Sequence, residues 1–366
     1  MRYNLVVHDQ DADRVLGDLR LETPLRAGGP NRVPIEELLR FQRCSGASVA
    51  LIDGGEVAWE RGFGTVERGA EIAVTASTCL QCCSISKHVA AVGALRLVDE
   101  GLLDLDADVN RYLRGWRLPG DTPATPRMLL GHTAGLTYCW YRGFGRGEPL
   151  PTRLDVLEGR PPANTPPVRV VRDQASFRYS GSHFTVLEQL MVDLTDQPFP
   201  ELMRRLVLDP LGMAGSSYDQ AFPETRTAST ARGHHADGEV VRGGWRVQPE
   251  MAGAGLWTTA GDLARLAVEI QRAHAGRGRL LSKAAVDQAL TPGPSGDYGL
   301  GMRLTGEGDE RRFGHGGDNV GYKARTSAYL QRGQGAVVLT NGDDGTGVID
   351  VVFEAIGREY GWPAPN

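Results

Sequence analysis

Apolar residues recur with helical spacing in six stretches of the chain. In the clearest one, Val89, Val92, Leu95 and Val98 fall on a single stripe, and Gly101 is a plausible end of the helix. The predicted helices span residues 34–43, 89–103, 182–194, 199–208, 260–274 and 347–360.

Short apolar runs next to glycine-containing turns predict strands near both ends of the chain. The four predicted strands span residues 47–52, 57–63, 326–330 and 336–341. The first two flank Asp53-Gly54-Gly55, which is typical of a β-hairpin, and the last two flank a turn at residues 331–335. Because the helices lie between the two pairs of strands, the pattern predicts an α+β fold with a helical region inserted into one sheet.

Two parts of the chain show little regular patterning. Residues 1–33 are polar and irregular after a short apolar run, so no helix or long strand is predicted there. Residues 139–176 are rich in Pro, Gly and Arg, and a loop of this length in a compact fold is usually functional or disordered.

Composition and charge argue against several classes of partner. The chain has 366 residues, is 41% hydrophobic and carries a formal charge of −5, which allows a large core and gives no reason to expect nucleic acid or an anionic membrane. The N-terminal residues show no export-signal pattern, and no apolar run approaches the length of a membrane span. We therefore expect a cytoplasmic protein with no nucleic-acid or membrane partner.

The chain has five cysteines, an odd number that favours free thiols in a chain without a visible export signal. Cys79 and Cys82 have the spacing of half a zinc site or of a redox pair, but the sequence offers no second such pair. We favour buried thiols that act as small apolar side chains, and we expect neither a metal site nor a cofactor.

Ser84 lies at the start of the apolar helical run, and Lys87 follows one turn later on the same face. A serine hydroxyl becomes a good nucleophile when a neighbour takes its proton, which a lysine can do once neutral and an arginine cannot. The chain contains only three lysines among 40 cationic residues, so it almost always uses arginine where a positive charge alone is needed. A lysine at this position therefore favours a role that arginine cannot fill. The alternative is a helix cap followed by a solvated charge.

Two other stretches carry residues suited to the same chemistry. Tyr179-Ser180-Gly181 places a phenol at a loop tip, where a tyrosine beside a buried lysine can act as base or acid. Residues 313–322 are dense in glycine, and a backbone N–H there could form an oxyanion hole together with that of Ser84. The alternatives are a packing tyrosine and an ordinary glycine-rich turn.

Taken in order, three motifs resemble those of the serine β-lactamase and penicillin-recognising superfamily. They are Ser84-x-x-Lys87, Tyr179-Ser180-Gly181 and His315-Gly316-Gly317. The match is to the class C-like branch, which includes esterases, D-alanyl-D-alanine carboxypeptidases and acyltransferases. Further similar segments extend the resemblance over residues 35–360; they lie at residues 101–106, 130–136, 209–213, 255–262 and 298–301.

The resemblance implies an antiparallel β-sheet flanked by helices, with an inserted helical subdomain. Residues 1–366 would form a single catalytic domain. Its sheet part would take approximately residues 35–80 and 250–366, and its helical subdomain approximately residues 81–249. The site would lie in the cleft between these two parts.

The resemblance also implies a role for each motif. Ser84 would be the acylated nucleophile, and Lys87 and Tyr179 would share the work of general base and acid. The backbone N–H groups of Ser84 and Asp318 would form the oxyanion hole. His315 would occupy the catalytic-site position where β-lactamases usually have a lysine.

The substrate-binding candidates follow from the same resemblance. They are Tyr138, Trp140, Gly181, Gly316, Gly317 and Asp318. The two aromatic residues, with Tyr141, would lie near the cleft mouth, although core packing explains them about as well. We expect His132 to brace a loop through a hydrogen bond, and His88 and His183 to be helix-surface or packing residues.

Two departures from the superfamily pattern bear on the substrate. Gly181 stands where the second motif normally ends in an asparagine that holds the substrate amide. His315 replaces a permanent cation, and a neutral imidazole binds a carboxylate poorly at pH 7. Both changes favour the esterase and acyltransferase members over enzymes that act on β-lactams or acyl-D-Ala-D-Ala.

Our hypothesis from the sequence is a serine hydrolase or acyltransferase, most nearly a carboxylesterase, that forms an acyl-Ser84 intermediate. Its partners would be a small-molecule ester or amide and possibly an amine or alcohol as acyl acceptor. The alternatives are a D-aminopeptidase, a carboxypeptidase or a weak β-lactamase. A rival of another class is a catalytically silent ligand-binding protein with the same fold.

Overall fold

A six-stranded antiparallel sheet forms the centre of the fold. The computed structural model describes residues 5–27, 29–171, 176–226 and 229–363. Its strands are Leu19–Arg20 (β1), Arg32–Val33 (β2), Gly46–Asp53 (β3), Glu56–Gly64 (β4), Leu80–Gln81 (β5), Trp257–Thr258 (β6), Arg303–Thr305 (β7), Arg312–Asn319 (β8), Tyr322–Tyr329 (β9) and Gly335–Thr340 (β10). The large sheet has the order β4-β3-β10-β9-β8-β7, while β1–β2 and β5–β6 form two small ribbons.

Helices cover both faces of the sheet, and most of them lie, in sequence, between its N-terminal and C-terminal strands. They are Leu5–Leu16 (α1), Ile35–Phe41 (α2), Ile85–Asp99 (α3), Pro126–Leu130 (α4), Arg153–Glu158 (α5), Ser182–Thr195 (α6), Phe199–Met203 (α7), Phe222–Thr225 (α8), Met251–Ala254 (α9), Ala260–His274 (α10), Lys283–Ala289 (α11) and Gly345–Glu359 (α12). Short 3-10 turns lie at Val109–Arg111 and Gly308–Glu310, and a π-turn at Arg204–Leu208 continues α7.

Alternate residues of the central strands enter two different cores. In β10, Val337 and Leu339 pack on the side of α10, whereas Ala336 and Val338 pack on the side of α12. Because both faces of the strand are buried, its sequence is continuously apolar rather than alternating. The predicted α+β fold with an antiparallel sheet flanked by helices is confirmed.

Several predicted elements are found close to their expected bounds. The β3–β4 hairpin turns at Gly54 and Gly55, both with positive φ, as the Asp-Gly-Gly sequence predicts. The predicted helices at residues 182–194 and 260–274 correspond to α6 and α10.

The prediction that residues 1–33 are irregular is wrong for the described part. Helix α1 packs on β4 and α12 through Ala12, Val15 and Leu16, which are buried in the second core. These few apolar residues gave too weak a periodic pattern in the sequence, so tertiary packing decides the structure here. The predicted loop at residues 139–176 likewise contains α5, and its residues 172–175 lie outside the described part.

Two further expectations need correction. Helix α3 does not bury a single stripe: its residues from Ile85 to Leu95 are all buried, because it contacts α6, α9, α11 and β8. The alternative of an ordinary glycine-rich turn is wrong for most of residues 313–322, because Arg312–Asn319 form strand β8, paired with β9 along its whole length. Glycine at position 314 is needed there because a Cβ would lie 2.1 Å from the Thr326 carbonyl oxygen.

Within the described ranges, no helix is both long and apolar enough to cross a membrane.

Candidate active site

Ser84 is the residue immediately before α3, and the two-stranded ribbon β5–β6 leads the chain to it. Cys82 continues that ribbon, since its N–H donates to the Leu256 carbonyl at 3.1 Å. Cys83 then adopts a left-handed conformation with φ of 56°, which is unusual for a residue other than glycine. This turn sets the direction in which Ser84 enters the helix.

Lys87 lies one helical turn further on, and only 1% of its surface is exposed. Its Nζ donates to Ser84 Oγ at 3.0 Å and to the Gly253 carbonyl oxygen at 2.6 Å. The rings of Tyr141, Tyr179 and Phe184 surround the amine at centroid distances of 5.2 to 5.9 Å. A neutral amine in this position has the geometry to accept the serine proton.

Tyr179 occupies the loop tip before α6, as the sequence indicated, and its ring centroid is 5.2 Å from Lys87 Nζ. The buried His132 ring packs against it at 4.5 Å between centroids, and His132 Nδ1 accepts the Ser180 N–H at 3.3 Å. Burial lowers the pKa of His132 well below its usual value, so this imidazole is neutral. The structure therefore shows the loop-bracing hydrogen bond that we expected of His132.

His315 lies in β8, and its ring centroid is 6.0 Å from that of Tyr179. Its Nε2 is 3.1 Å from the Tyr298 hydroxyl and its Nδ1 is 2.6 Å from the Gly316 carbonyl oxygen. Burial lowers the pKa of His315 to about 3, so it carries no charge at pH 7. The position that usually provides a cation is therefore neutral.

Gly317 brings β8 against the segment that precedes Ser84. A Cβ at this position would lie 2.5 Å from the Cys82 carbonyl oxygen, whereas one at Gly316 would face open space. Asp318 follows at the edge of the site, and its Oδ1 pairs with Lys323 Nζ at 2.5 Å.

Tyr141 fills the space that Gly181 leaves open. A Cβ on Gly181 would lie 2.5 Å from the Tyr141 ring, and one on Gly253 would lie 2.2 Å from it, so the ring is wedged between two glycines. The Tyr141 hydroxyl contacts the Gly181 carbonyl and lies 2.7 Å from Thr185 Oγ1. The missing side chain of the second motif is thus replaced by a ring from a distant loop.

The free space beside Ser84 is a small niche of about 10 Å³, bounded also by Lys87, Tyr141, Tyr179 and Asp318. It adjoins a cleft of about 760 Å³, and both cavities are lined by Trp140, Tyr141, Asp318 and Asn319. The Ser84 hydroxyl therefore lies beside a space that continues into the cleft.

Not every substrate-binding candidate reaches this region. Trp140 lines both cavities, but Tyr138 lines neither of them and instead lies 5.3 Å from the guanidinium of Arg178. The two histidines expected at a helix surface or in packing lie in the interior: His88 and His183 are 3% and 0% exposed. The helix-surface alternative for them is therefore wrong.

Sequence reasoning missed two groups that shape the site. Buried Asn319 donates from Nδ2 to Gln81 Oε1 at 2.7 Å and to the Ala254 carbonyl at 3.2 Å, tying β8 to β5 and α9. The carbonyl of Gly253 was also missed, and backbone groups leave no signal in a sequence. An asparagine two residues after Gly317 was the one available hint.

The five cysteines are free and buried, as the sequence predicted. Burial raises the pKa of Cys139, which borders the niche, to about 12, so its thiol stays protonated. Among the described residues, no three His, Cys, Asp or Glu side chains converge in the manner of metal ligands.

Comparisons with known proteins agree with this architecture. A family model described as Beta-lactamase matches residues 34–356. Esterase EstB of Burkholderia gladioli is 31% identical over 202 residues, which are 52% of this chain and 51% of the esterase. A D-aminopeptidase of Gluconobacter oxydans is 25% identical over 307 residues, which are 81% of this chain and 55% of that protein. The chain thus spans about half the length of these two curated relatives.

One solved structure illustrates the likeness of fold. The octameric penicillin-binding protein homologue from Pyrococcus abyssi superposes with a TM-score of 0.73 at 23% identity, covering 89% of this chain and 75% of its own.

Proposed function

The chain belongs to the beta-lactamase family, whose members are serine hydrolases, and we propose that it cleaves a small ester or amide through an acyl-Ser84 intermediate. The single observation that carries this proposal is the buried Lys87 amine at 3.0 Å from Ser84 Oγ. Burying this amine away from water costs folding free energy. A role in activating the Ser84 hydroxyl explains why the chain keeps it there.

In the first half-reaction, neutral Lys87 accepts the proton of Ser84 as Oγ forms a bond to the substrate carbonyl carbon. The negative charge that develops on the carbonyl oxygen is stabilised by the backbone N–H groups of Ser84 and Asp318. The Tyr179 hydroxyl donates a proton to the leaving group as its bond to carbon breaks, and Lys87 returns the proton to Tyr179. Water then attacks the carbonyl carbon of the acyl-enzyme, and Tyr179 and Lys87 carry its proton to Ser84 Oγ as the acyl–oxygen bond breaks. The carboxylic acid leaves and the serine hydroxyl is restored.

The surroundings of the niche support an uncharged acyl donor with an ester bond as the best substrate class. His315 is neutral and Gly181 offers no side chain, so neither motif supplies a partner for a carboxylate or for a substrate amide. The resemblance to an esterase over half the chain points the same way.

A second candidate is a D-aminopeptidase, which the similarity to such an enzyme over 81% of the chain favours.

Acyl transfer to an amine or alcohol remains part of the proposal, because it shares the first half-reaction and differs only in the nucleophile that attacks the acyl-enzyme.

The test compares wild type with Ser84→Ala on four probes. We expect hydrolysis of 4-nitrophenyl acetate and butyrate by wild type, abolished in Ser84→Ala, with slow turnover of a chromogenic cephalosporin. Faster cleavage of D-alanine 4-nitroanilide than of the esters would select the peptidase. Ester hydrolysis that survives in Ser84→Ala would refute the proposal.

A further inference from the structure

The second partner of the Lys87 amine belongs to a short helix that has little support of its own. Gly253, whose carbonyl oxygen lies 2.6 Å from Lys87 Nζ, is part of the four-residue helix α9. This helix has no side-chain cap from the residue before it. A helix of one turn cannot hold its place without external contacts.

Besides the Asn319 contact from β8, those contacts come from α6 and α3. Glu188 of α6 extends its Oε2 to accept the Ala252 N–H at 2.8 Å, which satisfies a donor in the first turn of α9. After the helix, the Leu256 N–H donates to Ser86 Oγ at 3.0 Å. The chain is therefore held on both sides of the Gly253 carbonyl. Glu188 holds the nearer point, because it accepts the N–H of Ala252, the residue directly before Gly253.

The Glu188 side chain is completely buried, which is rare for a glutamate. Burial raises its pKa, and Arg153 of α5 opposes that effect through an ion pair of 3.3 Å between Nη1 and Glu188 Oε1. Arg153 also donates from Nε to Gln189 Oε1 at 2.6 Å, and its side chain is 22% exposed. A buried carboxylate with one cationic partner is a costly feature, and simple packing would be served better by an apolar residue.

We propose that Glu188 is a positioning residue for Lys87, acting through the Ala252–Gly253 peptide of α9. The carboxylate holds α9 so that the Gly253 carbonyl accepts one N–H of the neutral amine. When the amine loses the proton that it donates to Ser84 Oγ, its lone pair faces that oxygen at 3.0 Å and can take the serine proton. Through Arg153, α5 also takes part in this arrangement.

This inference rests on the proposed function, and it is tested by comparing two buried carboxylates. Glu269 in α10 is 3% exposed and accepts the backbone N–H groups of Arg279, Leu280 and Leu281. It is thus a matched structural carboxylate outside the site. The variants are Glu188→Ala, Glu188→Gln, Glu269→Ala and Glu269→Gln, each measured for Tm and for kcat/KM with 4-nitrophenyl acetate from pH 5 to 10.

Both alanine variants should lose stability, since each leaves buried N–H donors unsatisfied. Only Glu188→Ala should also lose kcat/KM per folded molecule by about 10²-fold, because a small displacement of a catalytic group is that costly. Glu188→Gln keeps an acceptor oxygen for Ala252 and should recover most of the rate.

Equal rates and pH profiles for Glu188→Ala and Glu269→Ala, corrected for the folded fraction, would overturn the inference while leaving the proposed function intact. Crystal structures of the two alanine variants give a readout that needs no turnover. The Lys87 Nζ to Gly253 oxygen contact should be broken only in Glu188→Ala, and an unchanged contact there would overturn the inference in the same way.

Discussion

At the scale of single residues, the site is an amine enclosed by neutral groups. Lys87 contacts a hydroxyl and a carbonyl, and the nearby imidazoles of His132 and His315 are kept uncharged by burial. Under the proposed function, this low-dielectric enclosure of the amine would strengthen its electrostatic interaction with the Ser84 hydroxyl during proton transfer.

The residue-scale prediction is that Lys87→Arg lowers kcat/KM for 4-nitrophenyl acetate by about 10²–10⁴-fold. Arginine keeps the positive charge but cannot give up its proton at neutral pH, so it cannot act as the base. The control is Lys283→Arg, since Lys283 is exposed and pairs with Asp287 at 2.5 Å. Steady-state kinetics of both variants check this, and a wild-type rate in Lys87→Arg would exclude the role of base.

At the scale of elements, the site forms where α3, β8, α9 and the loop before α6 meet. Glycines make the closest of these contacts possible, because the Cβ positions of Gly181 and Gly317 are occupied by other atoms. The sequence showed these glycines and their motifs. It did not show that Tyr141 fills the space beside Gly181, because that contact joins two loops 40 residues apart.

At this scale we predict that Gly317→Ala lowers kcat/KM by about 10²-fold, because β8 must move away from Cys82 and carry Asp318 with it. Gly316→Ala is the matched comparison in the same strand, and its Cβ would point into open space. It should cost far less activity. Steady-state kinetics of both variants test this prediction, with circular dichroism to check that each variant is folded. Equal losses of kcat/KM in the two variants would contradict the steric account.

At the scale of the whole molecule, the six-stranded sheet joins strands from both ends of the chain around the helical region. This layout could be predicted, because the apolar runs and hairpin turns at both ends are local signals. Helix α1 could not be predicted, since it depends on packing against β4 and α12. The Glu188–Ala252 contact also escaped prediction, because residues far apart in sequence meet only in the folded chain.

Buried histidines make the stability of the whole fold sensitive to acid. Burial lowers the pKa of His88 from 6.5 to about 4, so between these values the unfolded chain binds a proton that the folded chain does not. The contribution of neutral His88 is therefore fully present above pH 6.5 and is lost as pH falls toward 4.

We predict that the free energy of unfolding of wild type, relative to His88→Gln, decreases by about 1.4 kcal/mol per pH unit as the pH is lowered through this window. Glutamine has no titrating group, so the difference isolates the histidine. Urea unfolding at pH 7.5, 6, 5 and 4.5 measures it. A difference that does not vary with pH would show that His88 keeps its ordinary pKa in the fold.

The most direct test of the central claim is mass spectrometry of the protein quenched in acid during turnover of 4-nitrophenyl acetate. The account predicts an added acetyl group that maps to the peptide containing Ser84, that accumulates before steady state, and that is absent from Ser84→Ala. Turnover with no covalent adduct, or with the acetyl group on another residue, would contradict it.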